Sequence, residues 1–310
     1  MSALLNVILP VFLILGFGYF AAWKGIVSDA SIDGIMKFAQ NFAIPVLLFR
    51  SMSQLELSSA FDPRLLISFY AGAFVAGGLA YLLARRFFDR SPADALVIAF
   101  AACYSNSLLL GLPITERAYG SDALSGNYAI ITFHSPLLYT IGIFLMEVLR
   151  ARNGNRGALA REVTRSVLTQ PIVSGIIIGL MVNMTGLPLP GVVLDAVDMM
   201  AVAAIPAALF GMGGVLIHYR PEGDMRAIAM LCGISLLLHP ALTWILARYG
   251  FGLDIGQIRS AVVTAAMAPG VNAYLFANMY DAAKRVTAST VLISTGVMIG
   301  TVWIWLYLLP

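Results

Sequence analysis

Residues 101–113 read AACYSNSLLLGLP, with the polar residues 105–107 at the centre of an otherwise small and apolar run. The run belongs to an apolar stretch over residues 94–118, and a helix crosses the hydrocarbon layer of a membrane in about 20 residues. Gly111 and Pro113 follow within two turns, and both residue types weaken a helix. The segment therefore predicts a membrane-spanning helix that is interrupted near mid-membrane.

A second segment has the same character. Residues 265–274 read AAMAPGVNAY. Pro269 removes a backbone donor, and Gly270 lowers the helix propensity further. Backbone groups freed in this way are costly inside a bilayer unless they are satisfied, so such interruptions persist only within protein or beside a water-filled cavity. We predict a second interrupted helix here.

A short repeat links the two halves of the chain. Residues 43–49 read AIPVLLF and residues 204–210 read AIPAALF, so five of the seven residues are identical. The two copies fall in the second and seventh apolar spans. With five spans in each half, the second half enters the membrane from the opposite side. This arrangement is an inverted-topology repeat.

The composition indicates a membrane protein. Hydrophobic residues make up 60% of the 310 and charged residues only 11%, whereas soluble domains carry about 25% charged residues. The predicted fold is an all-α membrane protein of ten transmembrane helices, with helices 4 and 9 broken. The spans are predicted at 3–23, 34–53, 65–87, 94–118, 127–149, 166–184, 191–215, 225–247, 257–279 and 285–308.

The two halves and their orientation follow from the loops. We predict a first five-helix repeat over residues 1–150, a cytoplasmic linker over 151–165 and a second repeat over 166–310. Lysine and arginine concentrate in one set of alternate loops, which are expected to face the cytoplasm. Both termini should then lie outside the cytoplasm. The opposite set of loops holds only Arg64, Arg117, Arg248 and Arg259.

Charge and cysteine content exclude several functions. The net charge of +3 comes from 19 basic and 16 acidic residues in small groups, without the basic stripe of a nucleic-acid-binding protein. Cys103 and Cys232 lie in apolar segments and lack disulfide or metal-site spacing. We also find no P-loop and no nucleophile with a base and an oxyanion site. We therefore expect no metal, no cofactor and no enzymatic activity.

The sequence resembles the auxin efflux carrier family, which includes plant auxin exporters and bacterial carriers of malonate and related acids. The resemblance covers nearly the whole chain in order. It is carried by NFAIP at 41–45, SNSLLLGLP at 105–113, APGVN at 268–272 and ASTVLIST at 288–295.

The resemblance implies a fold like that of the bile acid–sodium symporters and sodium–proton antiporters. In that fold helices 1, 2, 6 and 7 form a scaffold, while helices 3–5 and 8–10 form a transport unit in which helices 4 and 9 cross. Plant exporters have a proline where this chain has Ser105, and the long central loop of many plant members is absent. Ser105 predicts a softer break in helix 4 than in helix 9, and the missing loop favours a compact bacterial carrier in the inner membrane.

The interruptions define the predicted binding site. Each half-helix that starts after a break directs its N–H groups and the positive end of its dipole inward, which suits a carboxylate. The alternative is that the breaks serve only as kinks and close-packing points. The residues predicted to bind substrate are Ser105, Asn106, Ser107, Pro269, Gly270, Val271, Asn272 and, along the path from a scaffold helix, Asn41.

Ionisable residues inside the spans are candidates for coupling to an ion. Asp198 could carry a proton, or it could cap the start of its helix together with Asp195. His134 and His239 each precede a proline by one or two residues. They could titrate during transport, or simply bond a carbonyl freed by the proline kink. Arg50 could attract a carboxylate or snorkel to the membrane surface.

Together these features predict a secondary transporter of a small mono- or dicarboxylate, such as malonate or an auxin-like acid. The expected mechanism is elevator-type alternating access. The expected partners are the anion, the lipid bilayer and a second copy of the chain bound through the scaffold helices. The alternatives are a membrane-embedded enzyme and a non-transporting membrane sensor.

Overall fold

The computed structural model describes residues 2–57, 61–150 and 169–309. Helices follow one another through these ranges, and the prediction of an all-helical chain is confirmed. The one β pairing among the described residues is an isolated antiparallel bridge between Ser105 and Pro269. The linker predicted at 151–165 and the first residues of the second repeat lie outside the described residues.

The described α-helices are numbered in chain order. They are α1 (Ser2–Trp23), α2 (Asp29–Phe38), α3 (Ile44–Gln54), α4 (Pro63–Phe87), α5 (Pro92–Cys103), α6 (Leu112–Tyr119), α7 (Ser125–Arg150), α8 (Pro171–Thr185), α9 (Gly191–Leu216), α10 (Met225–Gly233), α11 (His239–Ile245), α12 (Ile255–Ala265), α13 (Val271–Tyr280) and α14 (Lys284–Leu308).

Seven helical stretches of the described residues are long and apolar enough to cross a membrane. Two further apolar helices, α5 and α8, are shorter. The predicted spans 4 and 9 each correspond to two shorter helices separated by non-helical residues. The seven stretches are Asn6–Trp23, Asp29–Gln54, Pro63–Phe87, Ser121–Leu149, Gly191–Leu216, Met225–Gly250 and Lys284–Leu308.

The contacts divide the described chain into two compact units. The larger unit comprises residues 2–8, 61–150 and 219–309, and the smaller unit comprises 9–57 and 169–218. Several helices of the larger unit begin at a side-chain cap, which satisfies N–H groups that a helix start leaves unpaired. These caps are Asp62, Ser91, Asp224 and Asp254.

Aromatic rings fill much of the core of the larger unit. Phe100 of α5 stacks on Phe276 of α13, with ring centroids 4.0 Å apart and planes 13° apart. Tyr139 of α7 meets Phe100 edge-on at 5.3 Å. These contacts fix α5, α7 and α13 against one another, and the candidate site is built at their ends.

Short π-helical segments adjoin three of the prolines. Each is closed by a hydrogen bond from a backbone N–H to the carbonyl five residues earlier, as from Leu112 to Ser107. A proline is the second residue of the α-helix that follows in each case: Pro45, Pro113 and Pro240. The wider turn accommodates a ring that would otherwise clash with the preceding turn. The three segments are Ala39–Ala43, Ser107–Gly111 and Ile234–Leu238.

Glycines allow close helix packing in the smaller unit. A Cβ added to Gly18 of α1 would overlap the carbonyl of Phe210 of α9, and one added to Gly213 of α9 would overlap the carbonyl of Leu15. The two backbones are therefore in direct contact, as is common where small residues meet in membrane helices.

Candidate functional site

Two non-helical segments of the larger unit meet where helices α5 and α12 end. Helix α5 ends at Cys103 and α12 at Ala265. The backbone N–H of Asn106 donates to the carbonyl of Ala268 (2.9 Å), and that of Gly270 donates to the carbonyl of Tyr104 (3.2 Å). We call residues 104–107 and 268–272 the chain crossing. Its hydrogen bonds satisfy backbone groups that the helix interruptions leave free.

Two helices begin at the chain crossing. The first starts as the π segment at Ser107 and continues as α6, and the Asn106 side chain accepts a hydrogen bond from the N–H of Leu109 (3.3 Å). The second, α13, starts at Val271 with Gly270 as its N-cap. Helix N-termini carry partial positive charge and exposed N–H donors. Two of them at one place favour an anion.

The polar residues of the chain crossing are enclosed to different degrees. Ser105, Asn106 and Ser107 are 3%, 6% and 4% exposed, respectively. Val271 and Asn272 are half-buried. The hydroxyl of Ser105 is buried and has no hydrogen-bond partner among the described residues. An unsatisfied hydroxyl at such a place is available to a ligand or to water.

The structure brings together seven of the eight predicted binding residues. Ser105, Asn106 and Ser107 lie on one segment of the chain crossing, and Pro269, Gly270, Val271 and Asn272 lie on the other. The eighth, Asn41, belongs to the smaller unit, where it is exposed in the π segment Ala39–Ala43.

Helix α7 contributes three polar side chains that the sequence analysis did not assign to this place. The His134 ring shares a hydrogen bond with the carbonyl of Ser105 (3.0 Å). The Tyr139 hydroxyl donates to the carbonyl of Asn272 (3.1 Å), and the Ser135 hydroxyl is hydrogen-bonded to that of Tyr104. Both segments of the chain crossing are therefore held by α7.

The two buried histidines have partners other than those expected. His134 bonds Ser105, and the His239 ring bonds the backbone of Phe69. Neither carbonyl is one that a proline frees, so the kink interpretation of these histidines is wrong. The Phe69 ring contacts both, with its centroid 5.7 Å from His134 and 5.2 Å from His239.

Asp198 does not cap a helix. Helix α9 begins at Gly191 and has no acidic residue in its first turn, so the capping interpretation of Asp195 and Asp198 is wrong. Asp198 instead forms a two-pronged salt bridge with Arg50 of α3, one of whose contacts measures 3.3 Å. Both residues belong to the smaller unit, and their side chains are 39% (Arg50) and 48% (Asp198) exposed.

A polar cluster near the start of α7 was also not predicted. The amide nitrogen of Asn127 donates to the hydroxyls of Thr115 (3.1 Å) and Thr264 (2.9 Å). All three residues are fully buried. Within the described residues, no group of three or more histidine, cysteine or acidic side chains is arranged to hold a metal ion.

The described chain is helical, and several of its helices are long and apolar enough to cross a membrane. A family model described as "Membrane transport protein" matches residues 3–306. The chain belongs to this family, which is that of the auxin efflux carriers.

The relatives extend over almost the whole chain. A "Putative malonate transporter" of Rhizobium meliloti (strain 1021) is 23% identical over 310 residues, covering 100% of this chain and 97% of that protein. "Uncharacterized transporter YfdV" of Escherichia coli (strain K12) is 24% identical, covering 97% of this chain and 96% of its own length. "Auxin efflux carrier component 8" of Arabidopsis thaliana is 26% identical, covering 94% and 91%, respectively.

Proposed function

We propose that this protein is a secondary transporter of a small organic anion, a mono- or dicarboxylate such as malonate or an auxin-like acid. The observation that carries the proposal is the start of two helices at one chain crossing in the larger unit. The names of the Rhizobium and Arabidopsis relatives support organic acids as the class of substrate.

The chemistry of the crossing suits a carboxylate. Its donors are neutral, namely backbone N–H groups, the Ser105 hydroxyl and the amides of Asn106 and Asn272. Neutral donors bind an anion without a fixed opposite charge, so the anion can be released again. Asn272 is half-buried and Ser105 is enclosed, so a ligand would reach Asn272 first.

The proposed architecture has ten spans in two inverted repeats, with broken helices 4 and 9 built from α5–α6 and α12–α13. Alternating access is by an elevator-type movement of the larger unit, which contains the whole crossing, against the smaller one. The division of contacts into two units supports this mechanism. The protein acts in the inner membrane of a bacterium, with both termini outside the cytoplasm. Asp198, His134 and His239 are the candidates for ion coupling.

The test is uptake of radiolabelled malonate by purified protein in liposomes. Asn106→Ala should reduce uptake at least tenfold. Asn106→Asp is the sharper variant, because aspartate preserves the helix cap yet places a negative charge against the anion. It should fold normally and fail to transport.

The matched control is Asn278→Ala. Asn278 lies on α13 with an exposed side chain, away from the crossing, and this variant should transport like the parent. Normal uptake by both Asn106 variants would refute the site. If organic acids stabilise the protein against unfolding but none of them is taken up into the liposomes, the protein would be a sensor.

A further inference from the structure

Tyr104 lies at the centre of the hydrogen bonds around the chain crossing. The amide nitrogen of Asn272 donates to its hydroxyl at 3.0 Å, and the same hydroxyl is hydrogen-bonded to that of Ser135. An amide nitrogen only donates, and a phenol has a single hydrogen. The Tyr104 hydroxyl therefore accepts from Asn272, and in its bond with Ser135 either hydroxyl can be the donor.

The ring of Tyr104 is held so that its hydroxyl stays in this place. The residue is 4% exposed. Its ring stacks on Phe100 at 5.2 Å, lies 4.7 Å from the His134 ring and meets Tyr139 edge-on at 5.8 Å. Packing on three sides leaves few alternative positions for the hydroxyl.

The orientation of the Asn272 amide follows from this contact. Asn272 is the second residue of α13, half-buried beside the N-terminus of that helix. Its amide nitrogen has two hydrogens, and the bond to Tyr104 uses one of them. The second hydrogen then has a fixed direction. The Tyr139 hydroxyl holds the Asn272 carbonyl as well, so side chain and backbone are fixed together.

We propose that Tyr104 is a positioning residue for substrate. Its hydroxyl orients the Asn272 amide so that the second amide hydrogen can donate to a bound carboxylate. This inference rests on the proposed function, because it assigns a role in the same site. It adds a residue that does not itself touch the substrate and that acts only through Asn272.

The test compares initial rates of radiolabelled malonate uptake by Tyr104→Phe and the parent protein in liposomes. Phenylalanine keeps the ring packing and removes only the hydroxyl. The KM should rise about fivefold, the ratio expected from ~1 kcal/mol for one hydrogen bond, while the maximal rate stays within about twofold. A purely structural role would lower the amount of active protein and the maximal rate, and would leave the KM unchanged.

Tyr70→Phe is the matched control. Tyr70 is a buried tyrosine of the same unit, and its hydroxyl donates to the carbonyl of Ile130 at 2.7 Å rather than to a residue of the chain crossing. Its loss removes one buried hydrogen bond without touching Asn272. The thermal unfolding midpoint should fall by a similar amount in both variants, with the KM raised only in Tyr104→Phe.

A double-mutant cycle with Asn272→Ala completes the test. If Tyr104 acts through Asn272, the double variant should have the KM of Asn272→Ala alone. Independent, multiplying effects would overturn the inference, as would an unchanged KM in Tyr104→Phe. An Asn272→Ala variant with parental KM, or a parent protein that takes up no organic acid, would overturn the proposed function and this inference with it.

Discussion

The guanidinium of Arg117 on α6 donates to the backbone carbonyl of Asn6 on α1, at 2.8 Å. Pro10 lies four residues after Asn6 in the same helix and has no N–H to give, so this carbonyl lacks its helical partner. A second bond, to the carbonyl of Val7 at 3.1 Å, anchors the same turn. Arg117 therefore completes the hydrogen bonding of a proline-interrupted helix.

Replacing Arg117 should loosen the start of α1. In Arg117→Gln, we expect backbone amides of residues 6–13 to exchange with deuterium about threefold to tenfold faster, the range expected on losing ~1 kcal/mol of hydrogen bonding. Hydrogen-exchange mass spectrometry would measure this. Glu116→Gln, an exposed neighbour, is the control, and equal exchange in both variants would contradict the role of Arg117.

The pairing of Arg50 with Asp198 should stabilise the folded protein more than the presence of either charge by itself. Asp198→Asn removes the carboxylate that neutralises Arg50 across the two helices, which is unfavourable where a charge lies in a membrane-spanning segment. We expect the thermal unfolding midpoint to fall by a few degrees, whereas Asp195→Asn, an exposed position on the same helix, should leave it unchanged. The exchanged pair Arg50→Asp with Asp198→Arg should recover part of the loss. If the exchanged pair recovers none of the lost unfolding midpoint, the geometry of the two side chains, and not their opposite charge, determines the stability.

Two glycines of α1 offer a matched test of helix packing. Gly18→Ala should destabilise the protein by about 3 kcal/mol or more, because the new methyl group overlaps the backbone of Phe210 in a contact that cannot relax easily. Apart from the neighbouring backbone of its own helix, no described atom lies within 4 Å of a Cβ placed on Gly16. Gly16→Ala should therefore be neutral or slightly stabilising. Thermal unfolding in detergent would distinguish the two variants, and equal unfolding midpoints would refute the close contact of Gly18 with Phe210.

Asp62 should give the protein an acid-dependent contribution to stability. Its carboxylate caps α4 and is held by the Arg64 guanidinium, which lowers the pKa of Asp62 to about 2. Because this pKa lies below the unfolded value of about 3.9, the contribution is complete above pH ~5. It disappears as the pH falls through about 4 toward 2.

Asp62→Asn keeps a capping side chain but loses the charge. The difference in unfolding midpoint between this variant and the parent should therefore be greatest near neutral pH and approach zero only as the pH falls below about 2. Asp122→Asn, at an exposed site in the same unit, should follow the parent curve. A difference that is constant across the titration would rule out the ionic contribution of Asp62.

Helices α5 and α12 end at Cys103 and Ala265, close to residues whose local chemistry disfavours a helix. Pro269 and Gly270 disturb a helix within one turn, and so do the polar residues at 105–107, whatever the rest of the chain does. That the two segments meet is an expectation from the resemblance to the auxin efflux carriers, which implies that helices 4 and 9 cross. The bridge between Ser105 and Pro269 joins residues that are far apart in the sequence, and local sequence rules do not predict such contacts.

The partners of the crossing could not be predicted in this way. Ser135 lies 31 residues from Tyr104, and Tyr139 lies 133 residues from Asn272. Hydroxyls on an apolar helix have no spacing that identifies their partners. Asp198 was misassigned for a related reason. Its partner Arg50 is 148 residues away, and an uncertain helix start made capping the simpler local explanation.

The π segments before Pro45, Pro113 and Pro240 have a consequence for how such chains evolve. A π turn is an α-helical turn with one residue inserted, and each α-helical residue accounts for about 100° of rotation. Deleting one residue from any of these segments would convert the π turn into an ordinary α-helical turn and would leave the following side chains of that helix close to their present directions. Where a relative lacks the proline, its alignment with this chain should open a single-residue gap at that place.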